Sequence, residues 1–208
     1  MRIQSGIFFI LCALFPLSSM AAVPIATVAR IQEAAALERQ GAQVPLKVGL
    51  RLESGDVITT GEQSRVLLHL SDKSKIKIGA HARVKFDNLL PPPTRSNKPL
   101  KGKIGVFKGL LRFVGGNKKV KKDIQLRVGN TITMGIRGTD VFVKAEKEKD
   151  WVCLLEGHVS VAAQGVTAAL TQAKQFFVVP KGKVPAPIGF VQEEMLQKWV
   201  KGTDFRDK

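Results

Sequence analysis

Apolar and polar residues alternate with a period of two over most of the chain. Val66, Leu68 and Leu70 alternate with Arg65, Leu67 and His69, and Ile76 and Ile78 with Lys75 and Lys77. Val84 and Phe86 alternate with Arg83, Lys85 and Asp87; Ile124, Leu126 and Val128 alternate with Asp123, Gln125 and Arg127. Successive strand residues point to opposite faces, so these segments read as half-buried antiparallel strands. A helix would repeat its apolar residues at i, i+3 and i+4, and these segments do not. Gly-centred breaks separate the runs at 54–56, 60–62, 108–109, 129–130 and 156–157. Glycine takes a positive φ without steric cost, as tight hairpin turns require. Residues 103–114 and 151–161 therefore each read as strand, glycine turn, strand. Many short strands at this spacing predict an all-β fold: a sandwich, a barrel or a short solenoid.

Three segments depart from the alternation. Residues 90–100 (LPPPTRSNKPL) hold four prolines and are expected to form an exposed, extended loop. Near the C-terminus, Phe190-Val191, Met195-Leu196 and Trp199-Val200 recur on one side of a 3.6-residue period, predicting one amphipathic helix of about three turns packed on the β body. At the N-terminus, Met1-Arg2 precedes the apolar stretch 6–17, and small residues flank a potential cleavage site after Ala21. That three-part build predicts a secretory signal peptide over residues 1–21. The stretch is shorter than the ~20 residues a membrane-spanning helix needs, and no later apolar run reaches that length. The expected division is a signal peptide (1–21), an all-β domain (22–185) and a helix with tail (186–208).

Little in the sequence points to catalysis. His69, His81 and His158 do not converge in any recognisable spacing, and no paired-histidine, paired-cysteine or acidic calcium-loop pattern occurs. No Gly-x-Ser-x-Gly or phosphate-binding loop is present, and Gly135-Ile136-Arg137-Gly138 is too poor in glycine for a dinucleotide turn. No enzyme activity, cofactor or metal is expected. Removal of residues 1–21 would leave one cysteine, Cys153, within the apolar run 151–155, where it reads as core packing.

Charge is the strongest remaining signal. The 208 residues hold 33 Lys and Arg against 17 Asp and Glu, a formal net charge of +16. From Arg95 to Lys122 there are ten basic residues and no acidic one, among them Lys101, Lys103, Lys118, Lys119, Lys121 and Lys122. Such a segment suits nucleic acid in a cytosolic protein. Export argues instead for a solvated basic face, or for contact with an anionic envelope polymer such as peptidoglycan or lipopolysaccharide.

Two blocks resemble the FecR-type periplasmic domain of bacteria. The first runs from Leu50 through Gly55-Asp56 and Thr60-Gly61 to the strand 64–70 and the turn Asp72-Lys73-Ser74. The second is Arg137-Gly138-Thr139 with its following strand, then Glu156-Gly157-His158-Val159. Lys73 stands where the family usually has glycine. The resemblance implies a periplasmic all-β interaction or sensing module, with Gly55, Gly138 and Gly157 as turn glycines and Asp56 bonding backbone in an Asx-type turn. The best-known relatives are transmembrane regulators acting on a cytoplasmic sigma factor. No cytoplasmic segment or spanning helix is read here, so that anti-sigma role is not expected to carry over. The expectation is a secreted envelope protein that binds an envelope protein or anionic polymer; the alternative is a signalling component working through a membrane partner. Arg137, set among apolar residues, would if buried need several carbonyls or a carboxylate, with Asp56, Asp140 and Glu156 as candidates; if exposed, it is expected to contact a ligand.

Overall fold

The computed structural model describes residues 26–90, 99–117 and 119–205. The expected signal peptide, most of the proline-rich loop with Arg95 and Lys98, and Lys118 lie outside the described residues. The fold is all-β with one short C-terminal helix. In chain order the strands are β1 (Ala26–Gln32), β2 (Ala35–Arg39), β3 (Ala42–Pro45), β4 (Arg51–Leu52), β5 (Val57–Thr60), β6 (Arg65–Leu70), β7 (Lys75–Ile78), β8 (Arg83–Leu90) and β9 (Leu100–Val114). There follow β10 (Lys122–Val128), β11 (Ile132–Ile136), β12 (Asp140–Ala145), β13 (Lys149–Glu156), β14 (Val159–Ala163), β15 (Val166–Leu170), β16 (Gln175–Pro180), β17 (Gly189–Phe190) and the helix α1 (Glu193–Thr203).

The strands form two sheets facing each other across one apolar core. Sheet I has the order β4-β1-β6-β7-β9-β12-β13-β16-β17. Sheet II has the order β3-β2-β5-β8-β9-β10-β11-β14-β15. Every pairing is antiparallel except β9 with β10, which is parallel. The inward side chains interdigitate in a core that includes Leu37, Ile58, Leu68, Ile76, Phe86, Phe113, Leu126 and Val152.

β9 belongs to both sheets. Its first half pairs with β8 and β10 in sheet II, and its second half with β7 and β12 in sheet I. The transfer happens at Lys108-Gly109, where the burial parity slips: Ile104 and Val106 face the core before it, Leu111 and Phe113 after it. Gly109 has φ +87°, and a Cβ there would sit 2.5 Å from the Ala82 Cα. The turn expected within 103–114 is thus a corner inside one strand. The same correction applies at Gly157, which carries the chain from β13 in sheet I to β14 in sheet II, and at Gly61, between β5 and β6. Hairpins do form at Gly129-Asn130 and at Lys73, whose φ of +68° reproduces the conformation a glycine would supply.

The continuous apolar run 151–155 is buried on both of its faces. Val152 and Leu154 point into the core between the sheets, while Trp151 and Cys153 pack outward beneath α1 with Leu110, Phe142 and Leu196. α1 starts with Glu193 and Glu194 and has Lys201 in its last turn, charges that complement the helix dipole. Among the described residues no helix is long and apolar enough to cross a membrane.

Candidate functional site

The residues expected to matter separate into two groups. Gly55, Asp56, Thr60 and Gly61 are used in internal architecture. Asp56 is 1% exposed, accepts the Glu53 N–H at 2.8 Å, and holds Arg39 through two hydrogen bonds of 2.9 and 2.7 Å. That bidentate contact raises the Arg39 pKa above its ordinary value. Thr60 Oγ1 donates to the Gly79 carbonyl at 2.7 Å and accepts the Ala82 N–H at 2.8 Å, tying β5 to the β7–β8 corner.

Asp72, Arg137, Gly138, Thr139, Glu156 and Gly157 instead meet around the chain that leaves β9. Gly115 donates to the Thr139 carbonyl at 2.9 Å, and Gly116 donates to Ser74 Oγ at 2.9 Å. There is no room for side chains in this passage: a Cβ on Gly116 would lie 2.2 Å from the Ser74 nitrogen, and one on Gly115 3.1 Å from the Gly138 carbonyl carbon. Gly157 packs against Thr139, whose hydroxyl is buried without a hydrogen-bond partner.

Beneath this junction lies a buried ion pair. Lys122 Nζ sits 3.0 Å from Asp72 Oδ2, with side chains 1% and 0% exposed, and also donates to the Asn117 carbonyl at 3.1 Å. Asp72 accepts from Ser74 N–H and Oγ–H at 3.0 and 2.7 Å. Lys122 is therefore not a surface contact for polyanions, and that expectation is corrected. Strand parity gives the reason: Lys122 shares its face with Ile124, Leu126 and Val128.

Arg137 takes the exposed alternative. It is exposed, one residue beyond β11 and in step with Thr133 and Gly135, and two of its candidate partners hold other arginines. Asp56 holds Arg39, and Asp140 holds Arg112 through hydrogen bonds of 2.9 and 2.7 Å. Arg112, which sequence reading passed over, also lies over the Phe142 ring at 5.1 Å. Glu156 is exposed opposite Asp140 in the β12–β13 register.

Arg137 stands between two concavities. One, of about 630 Å³, is lined by Lys121, Asp123, Arg137, Gly138, Glu156 and Gly157. The other, of about 530 Å³, runs past Gly135 and His158 to Thr171. The rim of the first carries both signs of charge.

The acid-free run is also less bare in space than in sequence. Lys101 lies 3.9 Å from Asp123 on β10, and Lys103 stands opposite Asp87 of β8 in the ladder. Lys119 and Lys121 are exposed. Among the described residues no cluster of His, Cys, Asp or Glu is arranged to hold a metal ion.

Comparison with known proteins places this architecture. Two crystal structures of a candidate anti-sigma factor from Parabacteroides distasonis share the fold, each with a TM-score of 0.55. They are 15% and 16% identical in sequence, and each match covers 70% of this chain. The chain matches 65% and 64% of those two chains, somewhat under two thirds of their length. No curated protein matches it. The FecR protein family matches residues 56–160, from the buried Asp56 inside the first motif block through the second block to β14. That segment is half of the chain, and the chain belongs to the FecR protein family.

Proposed function

We propose that this chain is an exported, non-enzymatic recognition module of the bacterial envelope, which takes part in signalling by docking a protein partner on the cleft around Arg137. The family is associated with the cell envelope and is regulatory rather than typically enzymatic, and the relatives of this fold imply interaction with other proteins. One observation carries the reading. The second family block does not end in a buried ion pair but opens as a cleft, with Arg137 exposed between two concavities and Glu156 and Lys121 on its rim. A rim of mixed charge suits the polar periphery of a protein interface better than a polyanion tract. Lys119 and Lys121, both exposed, support the second reading, contact with peptidoglycan or lipopolysaccharide.

Placing a photo-crosslinking amino acid at Arg137 in growing cells tests the two together. The expected result is a discrete protein adduct in the envelope fraction, lost when Lys121 and Glu156 are charge-reversed. Absence of any protein adduct, with salt-sensitive sedimentation on sacculi, would replace the leading reading with the polymer one. Mass spectrometry of the exported form should show Ala22 as its first residue; retention of Met1 would remove the export premise.

A further inference from the structure

The outer face of sheet I carries a different kind of concavity. α1 covers that face incompletely, and a groove of about 1050 Å³ runs along its flank. This is just above the roughly 300–1,000 Å³ range of small-molecule sites. The floor is aromatic. Trp151 and Trp199 stack with centroids 4.0 Å apart and planes at 26°, and Phe176 lies 5.4 and 5.5 Å from the two rings. Phe190 and Met195, 59% and 47% exposed, stand at its mouth.

The rim is cationic. Lys108, Lys147, Lys149 and Lys198 line the groove, all four exposed and none in an ion pair among the described residues. The one carboxylate in the lining, Glu146, is taken by Lys144 at 2.5 Å. The backbone of the floor offers little further: β9, β12 and β13 each have a hydrogen-bonded neighbour on both sides, and β16 is paired with β13 along one side and with β17 at Gln175–Phe176 on the other. An extended peptide laid across β9, β12 and β13 would find no free edge to pair with. What remains is apolar contact along the floor and positive charge at the rim.

We propose that this groove binds a free single-chain anionic lipid, its acyl chain lying on Phe176 and Trp199, with buried Trp151 stacked behind them, and its carboxylate or phosphate head against the rim lysines. Such a ligand needs no hydrogen bonds along its length and carries its charge at one end, which is the complement of this surface. The proposal stands independently of the Arg137 cleft.

The chain supplies its own probe. It has two tryptophans and no tyrosine, and both tryptophans are in the groove, so intrinsic emission reports this site alone. Purified protein is titrated, below the micelle concentration, with 11-bromoundecanoate, whose heavy atom quenches indole on contact. The cationic chain 11-bromoundecyltrimethylammonium and the chainless bromoacetate serve as controls. The expected result is saturable quenching by the anionic chain, at least tenfold weaker for the cationic one and absent for bromoacetate. Lys108→Glu with Lys149→Glu should weaken the anionic chain at least tenfold at low salt without moving the melting temperature, and Met195→Asp should weaken both chains. Equal binding of the two chains would reduce the groove to an unselective apolar patch and overturn the proposal. So would quenching seen only with brominated lipid in anionic vesicles, which would assign the face to a bilayer surface.

Discussion

The adjacent lysines 121 and 122 offer a direct test of how this fold distributes charge. Lys122 is buried against Asp72 while Lys121 is exposed one residue away. Lys122→Met keeps the length of the side chain and removes its charge. Asp72 is then left as a buried carboxylate with only Ser74 N–H and Oγ–H, at 3.0 and 2.7 Å, to solvate it. Stranding one member of a buried pair costs about 3–5 kcal/mol. The two surviving Ser74 bonds pull the figure down, and the lost bond to the Asn117 carbonyl adds about 1 kcal/mol. The expected loss is therefore about 3–4 kcal/mol, a large share of the ~5–15 kcal/mol that holds a domain of this kind together. Asp72→Asn added to Lys122→Met removes the orphaned charge while keeping an acceptor for Ser74, and should recover at least about 1.5 kcal/mol. Lys121→Met should stay within about 0.5 kcal/mol of wild type. Urea denaturation at pH 7, followed by tryptophan emission with the m-value checked for constancy, measures all three. A loss below about 1 kcal/mol for Lys122→Met, or a double variant as unstable as the single one, would refute the argument.

Gly109→Ala must force a Cβ to within 2.5 Å of the Ala82 Cα at a φ of +87°, and should cost more than about 3 kcal/mol. Gly41→Ala, at φ +81° with open space around it, should cost about 1 kcal/mol in the same melts. Lys73→Gly relieves a non-glycine residue at φ +68° and should raise stability by about 0.5–1 kcal/mol, read as a shift in the urea midpoint. Burial pushes the Cys153 thiol up to about 12, so at pH 8 it should react with a thiol reagent only as fast as the protein unfolds; rapid labelling of the native protein would contradict its place beneath α1.

The period-two pattern told most of the strands apart because a sheet with one face on the core must alternate. It also held information that sequence reading left unused. Lys122 lies in step with Ile124 and Leu126, and Arg137 in step with Thr133 and Gly135, so parity alone assigns the lysine to the core and the arginine to solvent. Apolar neighbours suggest burial for Arg137 and basic neighbours suggest exposure for Lys122, and sequence neighbours mislead in both cases. The glycine breaks were visible, but their meaning was not. A chain that folds back beside itself and one that crosses to the opposite sheet interrupt the alternation in the same way, and only the partners of the next strand distinguish them. The parallel β9–β10 pairing and the carboxylates beside Lys101 and Lys103 were illegible for the same reason: both depend on which strands become neighbours. The two FecR-like blocks were legible as motifs, yet nothing local announced that one would be internal architecture and the other an open cleft.

The passage of β9 through both sheets also bears on how the protein comes apart. In a sandwich whose sheets share no strand, one layer can peel or fray while the other persists. Here the central strand of each layer is the same fifteen residues, hydrogen-bonded to β8 and β10 at one end and to β7 and β12 at the other. Disrupting either layer down to its middle pulls on the ladder of the other. Amides along the whole of Leu100–Val114 should therefore exchange with solvent through one global opening, on a common timescale, whichever sheet they belong to. A cut at Lys108-Gly109 would leave an N-terminal fragment without the middle strand of sheet I and a C-terminal fragment without the middle strand of sheet II.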